Sequence, residues 1–301
     1  MRRTTIPEEE YMLPGHSACL GCGGALAMRY LLKGLGKNTI ISIPACCWAV
    51  IPGVYPSRCL EVPLLYTAFE VTGAAISGIA DAMEVLGKDV NVVGFAGDGG
   101  TVDIGLQALS GMLERRHNAI YVLYDNEAYM NTGIQRSGAT PYGAWTTTTP
   151  VGKRRMFKRE HKKDIMEIVV AHEIPYAATL NIAYPEDFIK KVKKAKEIKG
   201  PKFLHIYAPC PTGWRYPPNK TVEVARLATE TLMFPLYEVE EGVYTITKKI
   251  KEPKPVKEYL KTQGRFRYLS DEDVQIIQKW VNHRWKKLLL KEKYSRELLE
   301  E

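Results

Sequence analysis

Between residues 39 and 208, short runs of apolar and β-branched residues alternate with longer stretches whose apolar positions recur at helical spacing. TIISI (39–43), VNVVGFA (90–96), NAIYVLYD (118–125), YAATL (176–180) and KFLHIYA (202–208) read as strands. Helices are predicted from the Cys-rich loop near residue 22 to Gly34 or Gly36, from about Thr72 to Leu86, over 102–116, near Asp164 to His172, and over 185–198. This alternation predicts an α/β fold with a mostly parallel sheet flanked by helices. From about Pro217 the rhythm stops. EEGVYTITKKI (240–250) reads as a hairpin strand, and a basic amphipathic helix is predicted from about Asp271. The expected organisation is a main domain over 1–216 and a C-terminal, subunit-docking extension over 217–301.

Composition narrows the class. The 301 residues are 45% hydrophobic and 25% charged, enough to bury a sizeable core. No apolar run is long enough to span a bilayer, and the basic N-terminus MRRTTIPEEE has no apolar segment behind it. A cytoplasmic protein without a membrane partner is expected. The net charge of +8 is concentrated partly in 153–163 and 282–296. Such runs are ordinarily solvated faces, and docking of an acidic partner is the other reading of 153–163. No nucleic-acid-binding motif is present.

Chemistry enters at GDGG (97–100), where a strand turns toward a helix. In a right-handed β-α-β crossover the loops after residues 96 and 124 leave the same sheet edge, so Asp98 meets Asn126. A carboxylate, a side-chain amide and a backbone carbonyl are hard oxygen ligands suited to Mg²⁺ bound to phosphates. Gly97, Gly99 and Gly100 would let the backbone approach a diphosphate, and a helix starting near Val102 would aim its N–H groups at it. The alternative is an ordinary turn with Asp98 as N-cap. The polar, Gly-rich stretch 126–150 is too long for a plain connection and is a candidate binding loop.

Cys19 and Cys22 form a C-x-x-C pair, while Cys46, Cys47, Cys59 and Cys210 are scattered. A redox pair, half a zinc site and an iron–sulfur site all use such a pair. Cys210-Pro211 has the Cys-Pro form that ends ferredoxin cluster motifs and tilts the choice to iron–sulfur. Cys59 is expected to pack as a small apolar residue.

GDGG followed by DNEAYMNTG (125–133), with GHSACLGCGG (15–24) and APCPTGW (208–214), resembles the β subunits of 2-oxoacid:ferredoxin oxidoreductases over about residues 14–216. The resemblance implies a thiamine-diphosphate-binding fold. It implies that Asp98, the Asn126 side chain and the Ala128 carbonyl hold Mg²⁺ on the diphosphate, and that Asn131 lies near the reacting carbon as the catalytic residue. It also implies a [4Fe–4S] cluster on Cys19, Cys22, Cys47 and Cys210; Cys47 is chosen over Cys46 by its spacing from Cys22, although Ala45-Cys46 departs from the family's usual Thr-Gly. No motif here supplies the carboxylate that activates the cofactor, Glu61 and Glu70 being unconvincing, and in the family it comes from an α subunit. The implied reaction is oxidative decarboxylation, with electrons passing through the cluster to ferredoxin and the acyl group to coenzyme A. Further partners would be γ and ferredoxin-like δ subunits. Pyruvate is the expected 2-oxoacid, with 2-oxoisovalerate, 2-oxoglutarate and oxalate as alternatives. Two other classes compete: a non-catalytic iron–sulfur or zinc subunit, and a non-redox decarboxylase like acetolactate synthase.

Overall fold

The computed structural model describes residues 6–152 and 157–298. Eight strands form one sheet in the order β2-β1-β3-β4-β6-β5-β7-β8. The strands are β1 (Thr39–Pro44), β2 (Leu64–Thr67), β3 (Asn91–Gly97), β4 (Ile120–Asp125), β5 (Tyr176–Asn181), β6 (Lys202–Tyr207), β7 (Tyr237–Glu240) and β8 (Val243–Ile246). The first six in the chain run parallel, and β7 and β8 add antiparallel at the β5 edge. Every residue of β4, β5 and β6 is buried. Helices cover both faces of a parallel sheet, which is why these strands read as continuous apolar runs.

The helices are α1 (Gly23–Leu35), α2 (Thr72–Val85), α3 (Leu106–Glu114), α4 (Ile165–Val170), α5 (Pro185–Glu197), α6 (Pro211–Trp214), α7 (Thr221–Glu230), α8 (Val256–Lys261) and α9 (Asp271–Glu297). α1 stops where Gly36 takes φ +81°, the left-handed region that glycine enters without steric cost. α9 starts with a reciprocal cap between Ser270 and Asp273. No helix among the described residues is long and apolar enough to cross a membrane.

Three features differ from the sequence reading. β2 is an edge strand of four partly exposed residues, too short and too polar in its surroundings to show a period of two. The segment expected to be helical from Val102 is instead a buried π-turn over Gly99–Asp103, and α3 proper begins at Leu106. Asp98 has helical backbone angles and caps nothing with its side chain, so the N-cap reading of the turn does not hold. The segment from residue 217 onward supplies β7 and β8 to the same sheet, joined by a tight turn with positive φ at Glu241 and Gly242.

Topology puts the chemistry on one edge. β1, β3, β4 and β6 are consecutive neighbours and parallel, so their carboxyl ends share one rim. The residues just beyond those ends are Cys46 and Cys47, Asp98, Asn126, and Cys210 in turn.

Candidate cofactor site

A cavity of about 360 Å³ opens at this rim. Gly97, Asp98, Gly99 and Gly100 line one side, Asn126 and Ala128 to Thr132 a second, and Ala45 to Cys47, Phe69 and Tyr124 the remainder. All seven residues expected around the cofactor therefore meet here: Gly97, Asp98, Gly99, Gly100, Asn126, Ala128 and Asn131. Asn131 is exposed at the cavity wall.

The oxygen donors converge. Asp98 is 1% exposed, Asn126 7% and Ala128 3%. One side-chain amide atom of Asn126 lies 3.0 Å from Asp98 Oδ1 and 2.9 Å from the Ala128 carbonyl oxygen. With the amide nitrogen turned inward, it donates to both. With the amide oxygen turned inward, three oxygens face one another without a donor, an arrangement that a cation stabilises. Burial, then the neighbouring Asp125 charge, pushes the Asp98 carboxyl well above the usual carboxylate range. The pocket is short of positive charge as folded, and its all-oxygen donor set fits Mg²⁺. Ser137 holds the other Asp98 oxygen by donating its hydroxyl to Oδ2.

Asp125 takes the opposite state one residue before Asn126. Burial raises its pKa, but Lys162 at 3.0 Å and His205 at 2.8 Å outweigh burial and bring it down to about 2.

The glycines have unequal roles. A Cβ on Gly99 would meet the Tyr129 ring at 2.2 Å, whereas on Gly97 and Gly100 it would stand at 3.3 and 3.4 Å from its nearest neighbours. Gly99 is thus required by an aromatic wall of the cavity. Tyr129 is fixed by its hydroxyl, which donates to Asp103 Oδ2 at 2.9 Å, and Asp103 also accepts from the Gly138 N–H and from Lys163. Those bonds pin the long loop onto the π-turn.

The cysteines lie on the adjoining side. The Gly23 N–H donates to the Pro209 carbonyl at 3.1 Å, joining the turns that carry Cys22 and Cys210. Burial, then the charges of Cys46, Cys210, Cys22 and Cys19, raises the Cys47 thiol pKa. The Cys46 thiol is likewise raised by burial, with the Tyr124 hydroxyl beside it opposing that rise. Cys210, raised by burial to about 11, senses Cys22 and Cys19. Among the described residues no three His, Cys, Asp or Glu side chains close on a single metal ion. A cube of four irons binds each thiolate at a different corner, so its ligands stand farther apart than those of one ion, and Cys19, Cys22, Cys47 and Cys210 are near enough to influence one another's charge. Cys59 is 3% exposed and packs in the core, as expected.

Two further expectations concern charged residues near the site. Part of the described basic run 153–163 is engaged within the fold: Lys158 is buried, Lys162 turns inward to Asp125 and Glu127, and Lys163 pairs with Asp103, while Arg159 is exposed. Residues 153–156 lie outside the described residues. Glu61 and Glu70 are exposed and neither lines the cavity, where Asp98 is the one carboxylate among the described residues.

Residues 48–206 match the family described as "Thiamine pyrophosphate enzyme, C-terminal TPP binding domain". The ketoisovalerate oxidoreductase subunit VorB of Pyrococcus abyssi is 58% identical over 295 residues, 95% of each chain. The chain belongs to the β-subunit family of thiamine-diphosphate-dependent 2-oxoacid oxidoreductases. The pyruvate synthase subunit PorB of Methanocaldococcus jannaschii is 52% identical, covering 94% of this chain and 98% of the relative. Among solved structures, a 2-oxoglutarate:ferredoxin oxidoreductase from Magnetococcus marinus shares the fold, with a TM-score of 0.57 and 21% identity over 74% of this chain and 82% of that one. Thiamine diphosphate is accordingly the cofactor of the family, and its members are subunits of larger enzymes.

Sequence reasoning missed Phe69, Tyr129, Ser137 and Asp103 as parts of the site. Tyr129 lies inside the motif that carried the resemblance, but nothing in its spacing announces that it packs on Gly99.

Proposed function

We propose that the chain is the catalytic β subunit of a 2-oxoacid:ferredoxin oxidoreductase, carrying thiamine diphosphate with Mg²⁺ and one [4Fe–4S] cluster. The observation that carries this reading is the meeting of Asp98, Asn126 and Ala128 in a cavity that Cys46 and Cys47 also line. Bound thiamine diphosphate supplies the nucleophilic carbon and electron sink for decarboxylating a 2-oxoacid, and the cluster supplies a one-electron acceptor. Asp98 Oδ1, the Asn126 amide oxygen and the Ala128 carbonyl would hold Mg²⁺ on the diphosphate. Phe69, Tyr129 and Met130 would exclude water from the cavity, and Asn131, exposed at its wall, would orient the substrate. Cys19, Cys22, Cys47 and Cys210 would ligate the cluster. Coenzyme A would take the acyl group and ferredoxin the electrons. The α subunit would bring the activating glutamate that this cavity lacks, with γ and δ subunits completing a cytoplasmic enzyme. Residues 1–216 carry the cofactors in this reading, and 217–301 are the candidate docking extension.

On substrate, the higher identity to a relative named for ketoisovalerate favours a branched-chain 2-oxoacid such as 2-oxoisovalerate. Pyruvate, the expectation from sequence, is the second reading. The test is the complex reconstituted with its partner subunits and assayed for CoA-dependent ferredoxin reduction with 2-oxoisovalerate, pyruvate, 2-oxoglutarate and oxalate. A higher kcat/KM for 2-oxoisovalerate supports the first reading, and a higher value for pyruvate reverses the order. Iron without thiamine diphosphate would indicate a non-catalytic subunit, and thiamine diphosphate without iron a non-redox decarboxylase.

A further inference from the structure

Glu127 sits between the two residues that frame the oxygen cluster, and its backbone is left-handed, with φ +66°. A non-glycine residue keeps that conformation only where its surroundings over-determine it. Rotation about this residue swings the Ala128 carbonyl relative to the Asn126 side chain, so whatever fixes Glu127 fixes the spacing of the donors.

Local bonds do part of this. The Glu127 N–H donates to Asp125 Oδ1 at 3.0 Å, and its carbonyl accepts from the Thr140 hydroxyl at 2.7 Å. The carboxylate is held from two distant parts of the chain. Lys162 reaches Oε1 at 2.8 Å, and the Arg265 Nη2 reaches Oε2 at 2.5 Å, with Glu127 and Arg265 side chains both 2% exposed. Arg265 is itself fixed: its Nε donates to Gln263 Oε1 at 2.9 Å, and its guanidinium lies 3.8 Å over the Trp214 ring. The Trp214 indole N–H donates to the Asn126 carbonyl at 2.7 Å. One stacked Arg–Trp pair therefore grips both Asn126 and Glu127, and Trp214 ends the short helix that Cys210 caps.

We propose that Arg265 is a positioning residue for the Mg-diphosphate site: from the C-terminal segment, 138 residues away in sequence, it locks Glu127 and so sets the Asn126 and Ala128 donors in register with Asp98. The inference rests on the reading of Asp98, Asn126 and Ala128 as the Mg²⁺ clamp. It gives the C-terminal segment a role inside the site, separate from subunit docking. Lysine cannot replace the guanidinium, because an ammonium lacks the planar fork that bonds Gln263 and Glu127 while stacking on Trp214.

The test uses the reconstituted complex, freed of thiamine diphosphate and titrated with it at several Mg²⁺ concentrations by calorimetry, for wild type, Arg265→Lys, Gln263→Met and Asp98→Asn. Groups that orient metal ligands contribute about 10- to 100-fold to metal affinity. Arg265→Lys is expected to weaken Mg-dependent cofactor binding by about that factor. The loss should appear in cofactor half-saturation and not in kcat, with iron and sulfide content unchanged. Gln263→Met, which loosens Arg265 without removing it, should shift binding in the same direction by less. Wild-type cofactor affinity in folded Arg265→Lys overturns the proposal; if that variant does not assemble, wild-type affinity in Gln263→Met does so. Asp98→Asn separates the two claims. Should it bind the cofactor with Mg²⁺ like wild type, the clamp reading fails. Should it lose binding while Arg265→Lys keeps it, only the role of Arg265 fails.

Discussion

Replacing Gly99 by alanine tests the packing that shapes the cavity. The new Cβ would lie 2.2 Å from one Tyr129 ring carbon and 2.5 Å from two others. Ordinary carbon contacts begin near 3.5 Å, so the ring must retreat by about 1 Å or more. Tyr129 has little room to do so, because its hydroxyl is bonded to Asp103 at 2.9 Å and its backbone N–H to the Gln135 carbonyl at 2.9 Å. Overpacking of this kind costs about 1–3 kcal/mol. If the hydroxyl lets go of the carboxylate, a further loss of about 1.5–3 kcal/mol follows. Gly99→Ala is thus expected to destabilise by about 1–3 kcal/mol, or about 2.5–6 kcal/mol if the hydroxyl bond is also lost, and to weaken thiamine-diphosphate binding, since Tyr129 lines the cavity. In a Tyr129→Ala background the clash is gone, and alanine's better helical propensity makes the same change neutral or stabilising by up to about 1 kcal/mol. A denaturation double-mutant cycle followed by tryptophan fluorescence, paired with cofactor titration, reads both effects. An alanine at 99 that leaves stability intact while abolishing cofactor binding would refute this reasoning and assign the glycine to the diphosphate alone.

Cys47→Ser should lose most of the iron and acid-labile sulfide of the purified complex, whereas Cys46→Ser, beside the Tyr124 hydroxyl, should keep them; equal iron loss in both would erase the distinction between the neighbours. Burial, helped by Lys199, lowers the Lys202 pKa to about 7, against about 10.4 in an unfolded chain. Between those values the unfolded state holds a proton that the folded state has released, so stability rises with pH across that window and is lowest below it. Lys202→Met should flatten the rise in unfolding midpoint between pH 7 and pH 10, and an unchanged slope would contradict the assignment. Trp214→Phe keeps the ring over which Arg265 stacks but removes the N–H bonded to the Asn126 carbonyl, a loss of about 0.5–1.5 kcal/mol. Cofactor half-saturation should rise modestly, and a wild-type titration curve would show that this bond does not bear on the site.

Much of the site could be read from sequence because parallel topology makes simple geometric promises. A strand–helix–strand unit of ordinary length places residues 98 and 126 on neighbouring loops, and β3 pairs β4 with Gly97 opposite Tyr124. The set of four cysteines came from the family resemblance, and β1 and β6 bring Cys47 and Cys210 to the same rim. What stayed hidden depends on contacts without a local signature. The π-turn is tight enough that a Cβ on Gly105 would strike the Gly100 carbonyl at 2.0 Å, which periodicity does not register. β2 is held by its register with β1 and not by its own composition. The grip of Arg265 on Glu127 is a buried ion pair between residues 138 apart in the chain, and neither charge carries a sequence signal of burial. Likewise, Lys158 and Lys162 belonged to a run that composition alone assigns to solvent.

The central claim is that the loops after β3 and β4 hold a metal-bound diphosphate at the carboxyl edge of the sheet. Its most direct test is an anomalous difference map of the thiamine-diphosphate-loaded complex with Mn²⁺ in place of Mg²⁺. The account predicts one manganese peak in coordination range of Asp98 Oδ1, the Asn126 amide oxygen and the Ala128 carbonyl oxygen. A cofactor-loaded complex whose manganese peak lies away from these three oxygens would contradict it.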